Sequence, residues 1–399
     1  MRALLRQLLA LALPVFLQAE PSSCELSSQV ELMQTRVVYS RATTSNATSS
    51  SFVQKQTDGV IDKVVFVRLH KVGSSTLASI FHRYCEFHGK NCYVAPNYMN
   101  PGKLVTESEL ESIVATFQSR PLPALDIFPN HAIMNTTLLE ALIPGNFKVA
   151  LFRTPLSRTM SAFRHFNNSK WVNSMMASLM NNVYTNCSGA PLESSYLPDV
   201  MCLMSDQLSP EQVQELDFVM LTEQYDLSLM MLRRKLGWSM FDMVYRRQRA
   251  DHTPEIVTAT AAFEEYLSQP VSTLNEATQL YLQNCIGANE SALYQSANST
   301  FYAQWEALSA TEQQEVRSDE SRFSAAQDTL LQCCRNSPSD SYCVGLLETD
   351  LPWTRRYLEH NRSYATFRPN SPSVPSSVTL ESPCMLLVKA TLSSSAAKA

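Results

Sequence analysis

The chain has 399 residues, of which 45% are hydrophobic and 17% are charged, and this balance is that of a globular protein. It excludes a chain that is disordered throughout, because such chains lack the apolar surface that a core requires. The formal net charge of −5 provides no basic excess for binding nucleic acid, although a local basic pocket for a small anionic ligand is compatible with it.

The first residues have the pattern of a targeting segment. Arg2 and Arg6 precede an apolar run at 8–17, and the small residue Ala19 follows it, which predicts a signal peptide or a short signal anchor over residues 1–19. A membrane span needs about 20 apolar residues. A cleaved signal peptide is therefore favoured, and membrane association through an uncleaved N-terminus is the alternative. Both interpretations place the chain in the lumen of the secretory pathway.

Composition divides the rest of the chain into three parts. Residues 20–60 are rich in Ser, Thr and Gln, which predicts a stem or linker. Residues 366–399 are rich in Pro, Ser and Ala, which predicts a disordered tail. Residues 61–365 lie between these segments and are enough for a single catalytic domain.

Cysteines and glycosylation sequons agree with a lumenal protein. The chain has ten cysteines, an even number, and none of their spacings is that of a zinc ribbon, so disulfides are expected rather than a metal site. The pairing is left open. Asn-x-Ser/Thr sequons begin at Asn46, Asn135, Asn167, Asn186, Asn289, Asn298 and Asn361.

Alternating strands and helices predict an α/β fold with a central parallel sheet flanked by helices. Buried strands are expected at 64–69 (VVFVRL), 147–152 (FKVALF) and 217–221 (DFVML), and a short apolar segment lies at 125–128. Helical spacing follows each of the three strands. In such sheets ligands bind beyond the carboxyl ends of the strands, which is where the loops HKVGSS and RTPLSRT begin.

The loop after the first strand has the composition of an anion site. Gly73 allows a tight turn, and the amides and hydroxyls of Ser74, Ser75 and Thr76 lie at the start of a helix, where unpaired N–H groups favour negative charge. Lys71 adds a positive charge beside them. Taken alone, the loop is explained equally well by an N-cap Ser with an incidental Lys.

The loop after the second long strand supplies a second anion contact. Arg153 ends the strand and Ser161 lies eight residues later, inside the following helix. An Arg guanidinium and a Ser hydroxyl suit one phosphate, although a surface Arg and a helical Ser are the more common explanation of such a pair taken alone. Together, the two loops predict a site for a ligand with two separated phosphates.

This pair of loops resembles the phosphate sites of sulfotransferases that use 3′-phosphoadenosine-5′-phosphosulfate (PAPS). Five blocks, in order, resemble the galactose-3-O-sulfotransferase family: RLHKVGSSTLASIFHRY, FPNHAIMN, VALFRTPLSRTMSAFRHF, DFVMLTEQYDLSLMMLRRKLGW and LYQSANSTFYAQWEAL. They lie between about residue 61 and residue 335. Three positions depart from the family: Leu69 and Val72, where Thr is usual, and Thr154, where an acidic residue is common.

The resemblance implies a P-loop-like sulfotransferase fold and PAPS as cosubstrate. Lys71, Gly73, Ser74, Ser75 and Thr76 would bind its 5′-phosphosulfate, and Arg153 and Ser161 its 3′-phosphate. It further implies residence in the Golgi, no metal, and a galactose-containing glycolipid or glycan as the acceptor, modified at the 3-hydroxyl. The departures concern the acceptor more than the cosubstrate.

The acceptor hydroxyl requires a general base, and histidine is suited to that role near neutral pH. His131 is the first candidate, because it lies in the family-like block FPNHAIMN after the apolar segment at 125–128. His70 and Glu223 are the second and third, and a structural histidine is the alternative role for His131. Because a glycan on nearby Asn135 would obstruct such a cleft, that sequon is expected to be unoccupied.

Three other functions remain open from the sequence. A nucleotide-dependent kinase is disfavoured, because the GxxxxGK[ST] loop and an evident metal-binding Asp are missing. A non-catalytic lumenal protein that binds nucleotide or glycan is a second alternative. A uronate 2-O-sulfotransferase, or another carbohydrate sulfotransferase, is the third.

Overall fold

The computed structural model describes residues 59–93, 104–119, 124–165, 177–183, 204–245, 271–282, 287–337 and 382–394, with isolated positions between 265 and 346. The predicted signal segment at 1–19 and nearly all of the predicted stem lie outside these residues. No helix among the described residues is both long enough and apolar enough to cross a membrane.

A parallel sheet of four strands forms the centre of the described fold. Its strands are β1 (Val64–Val67), β2 (Ile127–Phe128), β3 (Phe147–Phe152) and β4 (Phe218–Leu221), in the order β2-β1-β3-β4. Every residue of β1 is buried, as expected for a β-branched strand covered on both faces. The prediction of an α/β fold with a parallel sheet is confirmed.

Helices connect the strands and extend beyond the sheet. They are α1 (Ser74–His88), α2 (Glu107–Ser119), α3 (Thr136–Leu142), α4 (Pro155–His165), α5 (Tyr225–Leu236), α6 (Glu276–Tyr281), α7 (Gly287–Glu306), α8 (Ala310–Asn336) and α9 (Pro383–Ser394). The α8 helix is capped by Ser309, whose side chain forms a reciprocal capping box with Glu312 and so satisfies end groups that would otherwise lack partners.

Three disulfides hold the described part of the chain together, which confirms that cysteines form disulfides. Cys85 is bonded to Cys92, Cys333 to Cys384 and Cys334 to Cys343. The first joins the end of α1 to the segment before α2, and the other two lie at the end of α8.

The prediction of a disordered tail over 366–399 is wrong for α9. This helix packs on α8 and buries Met385 and Val388, and its Cys384 carries one disulfide to α8. Tertiary packing and a covalent link therefore order a segment that Pro- and Ser-rich flanks made look unstructured.

Candidate functional site

The site lies where three neighbouring strands end. The loops that follow β1, β3 and β4 begin at the same edge of the sheet, because all the strands are parallel and β1, β3 and β4 are adjacent. This is the edge at which parallel sheets bind ligands. Residues that are far apart in sequence meet here.

The loop after β1 contains two residues with left-handed backbone conformation. Lys71 has φ 64° and Gly73 has φ 86°. Gly73 has no such penalty, but for a lysine this conformation costs roughly 1 kcal/mol and is uncommon outside sites where the surroundings impose it. The loop thus holds the half-buried Lys71 in a conformation that its own preferences disfavour.

The hydroxyl groups of this loop have different partners. Ser74 is buried, and its Oγ donates to the carbonyl of Leu69 at 2.8 Å, so that hydroxyl closes the loop itself. Ser75 Oγ accepts from Arg68 Nη2 at 3.0 Å. Helix α1 starts directly after Gly73 and has no acidic residue in its first turn, which leaves its N-terminus favourable for an anion.

The loop after β3 touches the loop after β1. Arg153, at the end of β3, is half-buried, and its Nη1 donates to the backbone carbonyl of Lys71 at 3.4 Å. Ser161 is half-buried in the second turn of α4. The structure therefore brings Arg153 and Lys71 together, and it places Ser161 on the helix that Arg153 precedes.

The short turn after β4, at Thr222–Gln224, contacts both of these loops. Thr222 Oγ1 lies 2.5 Å from the carbonyl oxygen of Val72 and 2.9 Å from that of Phe152. Glu223 accepts from the Thr154 backbone N–H at 2.8 Å and from the Tyr294 hydroxyl at 3.3 Å. The carboxylate of Glu223 thus supports the β3 loop, which disfavours it as a general base.

The two candidate histidines form a stacked pair. The rings of His70 and His131 are 3.9 Å apart and nearly parallel, at 8°, and both are buried. His131 Nδ1 lies 2.7 Å from the Arg68 carbonyl, so Nδ1 carries the proton, and Nε2 is the basic nitrogen of the neutral ring. The side-chain amide of Gln207 donates to the same carbonyl at 3.0 Å.

The environment of His70 keeps its ring neutral. Burial, followed by the positive charges of Arg68, Arg158 and Lys71, lowers the pKa of His70 to about 3. Among the described residues, its buried Nε2 has no hydrogen-bond partner. These neighbours also show that positive charge surrounds the carboxyl end of β1, as an anion site requires.

A buried ion pair connects α4 to α7. Arg158 Nε lies 3.3 Å from Glu290 Oε2, and each side chain is 1% exposed. Glu290 also accepts from the Ser205 backbone N–H at 2.8 Å. Burial raises the pKa of Glu290, and the charge of Arg158 opposes that rise.

Sequence reasoning missed Thr222 and the Arg158–Glu290 pair. Thr222 stands in the block LTEQYD and Arg158 in RTPLSRT, so both lie in segments that the motifs marked. No local pattern identifies their partners, which lie more than 65 residues away in the chain.

The side chain of Asn135 is part of the fold. Its Oδ1 accepts from the Leu138 backbone N–H at 3.0 Å, which caps α3, and its Nδ2 donates to Glu107 at 2.6 Å. A glycan on Asn135 would disturb these two hydrogen bonds, which is a second reason, besides the nearness of Asn135 to His131, to expect an unoccupied sequon.

Comparisons with known proteins give a distant relationship. No protein-family model matches the chain. Over 215 residues it is 25% identical to galactosylceramide sulfotransferase of Mus musculus, and this alignment covers 47% of the chain and 48% of the mouse protein. The chain thus spans about half of the length of the curated relative that it matches. The similarity indicates a distant relationship to a sulfotransferase.

Proposed function

We propose that this chain is a PAPS-dependent carbohydrate sulfotransferase with a P-loop-like sulfotransferase fold. It transfers a sulfuryl group to a hydroxyl of a galactose-containing glycolipid or glycan, at the 3-position of galactose. The observation that carries the proposal is the contact between the loop after β1 and the loop after β3, hereafter the two anion loops. In this contact Arg153 donates to the Lys71 carbonyl at 3.4 Å. The similarity to a galactosylceramide sulfotransferase supports the same reaction class and acceptor.

Adjacent loops suit one ligand that bears two anionic groups. The start of α1, with Lys71 beside it, would hold the 5′-phosphosulfate through backbone N–H groups and the ammonium. Arg153 and Ser161 would hold the 3′-phosphate, which distinguishes PAPS from other adenylates. Ser74 would contribute its backbone N–H, because its hydroxyl donates a hydrogen bond to the Leu69 carbonyl.

The reaction forms a bond between the acceptor oxygen and sulfur, and it breaks the bond between sulfur and the 5′-phosphate oxygen. Negative charge develops on the leaving phosphate, and Lys71 stabilises that charge. The proton of the acceptor hydroxyl moves to Nε2 of His131, whose Nδ1 proton is held by the Arg68 carbonyl. Holding both reactants in line lowers the entropic part of the barrier.

The setting proposed for this reaction is the Golgi lumen. The disulfides of the described residues are compatible with an oxidising compartment. The segment at 1–19 would direct the chain there as a signal peptide or as an anchor.

The test is transfer of radiolabelled sulfate from PAPS to a panel of galactosides, glycolipids and glycosaminoglycans, with linkage analysis of the product. Labelled 3-O-sulfogalactose is the expected product. The turnover of Lys71→Ala should be at least about 100-fold slower than that of the native protein, because an enzyme loses roughly this much rate when one electrostatic contact to the developing charge is removed. Lys71→Arg keeps the charge and serves as the matched variant. Transfer from ATP but not from PAPS, abolished by a chelator, would instead identify a kinase.

A further inference from the structure

The turn after β4 makes contacts that determine how the two anion loops are spaced. Thr222 reaches the backbone of both loops, because its Oγ1 lies within hydrogen-bonding distance of the Val72 and Phe152 carbonyls. One hydroxyl proton is shared between these two acceptors. Its methyl group also packs beside Gly73, since a β-carbon placed on that glycine would lie 3.9 Å from Thr222 Cγ2.

Glu223 continues the same arrangement at the next position. Its carboxylate accepts from the backbone N–H of Thr154, the residue after Arg153, at 2.8 Å. The other oxygen accepts from the Tyr294 hydroxyl, which comes from α7. Burial and the carboxylate of Glu223 raise the pKa of Tyr294, so that hydroxyl keeps its proton and remains a donor.

We infer that Thr222 and Glu223 are positioning residues that set the distance between the two anion sites, and so select a nucleotide with phosphates at both the 3′ and 5′ positions. The inference rests on the proposed function. Neither side chain needs to touch the nucleotide. A ligand with one phosphate uses one loop and tolerates a change in spacing, whereas a ligand with two phosphates needs both loops at a fixed separation.

The experiment compares the binding of 3′-phosphoadenosine-5′-phosphate and of 5′-AMP, which differ by the 3′-phosphate alone, using calorimetry. Thr222→Val keeps the shape of the side chain and removes the hydroxyl. It is expected to weaken binding of the bisphosphate roughly tenfold, the effect of one net hydrogen bond, and to change 5′-AMP binding less than about twofold. Thr222→Ser restores the hydroxyl and should recover most of the preference.

Controls separate positioning from general stability. Thr116→Val removes a threonine hydroxyl that donates to the Ser112 carbonyl at 2.8 Å within α2, a helix that contributes no residue to the loops after β1, β3 and β4, and should leave both affinities unchanged. Glu223→Ala releases the Thr154 N–H and should lower the bisphosphate preference by a similar factor, which provides a second variant if Thr222→Val does not fold.

The outcomes distinguish the inference from the proposed function. Equal weakening of both ligands, or no weakening in either variant, overturns the positioning role. A native protein that binds the two ligands equally well contradicts the proposed two-phosphate site itself. If the native protein prefers the bisphosphate and Thr222→Val keeps that preference, the positioning role of Thr222 is wrong, but the proposed two-phosphate site stands.

Discussion

Acid should destabilise this protein through His70. The native ring has a pKa of about 3 because it is buried beside three cationic side chains, whereas an unfolded histidine has a pKa near 6.5. Between these values the unfolded chain binds a proton that the native protein does not. The contribution of His70 to the free energy of unfolding is therefore fully present above about pH 6.5 and is lost as the pH falls towards 3.

The size of the effect follows from the two pKa values. Lowering the pH from about 7 to about 5 should remove roughly 2 kcal/mol of unfolding free energy through this one group. The assay is urea unfolding at both pH values with the disulfides intact, on the native protein, His70→Phe and His70→Gln. Neither replacement can titrate in this range. Between pH 7 and pH 5 each variant should therefore lose roughly 2 kcal/mol less unfolding free energy than the native protein loses.

Two replacements of different size separate protonation from packing. Each will shift the absolute stability according to how it fills the space beside His131, but the difference between pH 7 and pH 5 does not depend on that shift. If both variants lose as much stability as the native protein over this interval, the buried neutral state of His70 is refuted.

Three further predictions concern other parts of the fold. Replacing both Cys333 and Cys384 with Ser should lower the free energy of unfolding by about 2–4 kcal/mol, because a long loop is no longer closed; an unchanged urea midpoint would contradict the role of α9. Asn135 should be found without a glycan by peptide mass spectrometry of protein from a secreting cell, since its amide caps α3, and predominant glycosylation there would contradict this. Glu290→Ala should cost about 3–5 kcal/mol by leaving Arg158 buried without its carboxylate, and a loss below 1 kcal/mol would show that the pair is dispensable.

The sheet and its first helix were predictable because their patterns are local. The run VVFV is β-branched and fully buried in β1, and the apolar positions after Gly73 recur at the spacing that α1 shows. The loop between β1 and α1 was predictable as well, since Gly and hydroxyl residues after a strand indicate a turn into a helix. The adjacency of Arg153 and Lys71 followed in turn from the expectation of a parallel sheet.

Features that depend on distant contacts were not predictable from the sequence. Helix α9 lies in a segment with Pro- and Ser-rich neighbours, and its order comes from packing on α8 and from Cys384. The stacking of His70 on His131 depends on the register of β1 and β2. Thr222 has its hydroxyl partners in two separate loops, which no spacing rule in one sequence reveals.

The central claim is that the loops after β1 and β3 bind opposite ends of one nucleotide. Calorimetric titration of the native protein and of Arg153→Ala with 3′-phosphoadenosine-5′-phosphate and with 5′-AMP tests it most directly. The native protein should prefer the bisphosphate by at least roughly tenfold, the effect of one charge-assisted contact, and Arg153→Ala should bind both ligands with similar affinity. An undiminished preference in Arg153→Ala would contradict the claim, because the β3 loop would then have no part in binding.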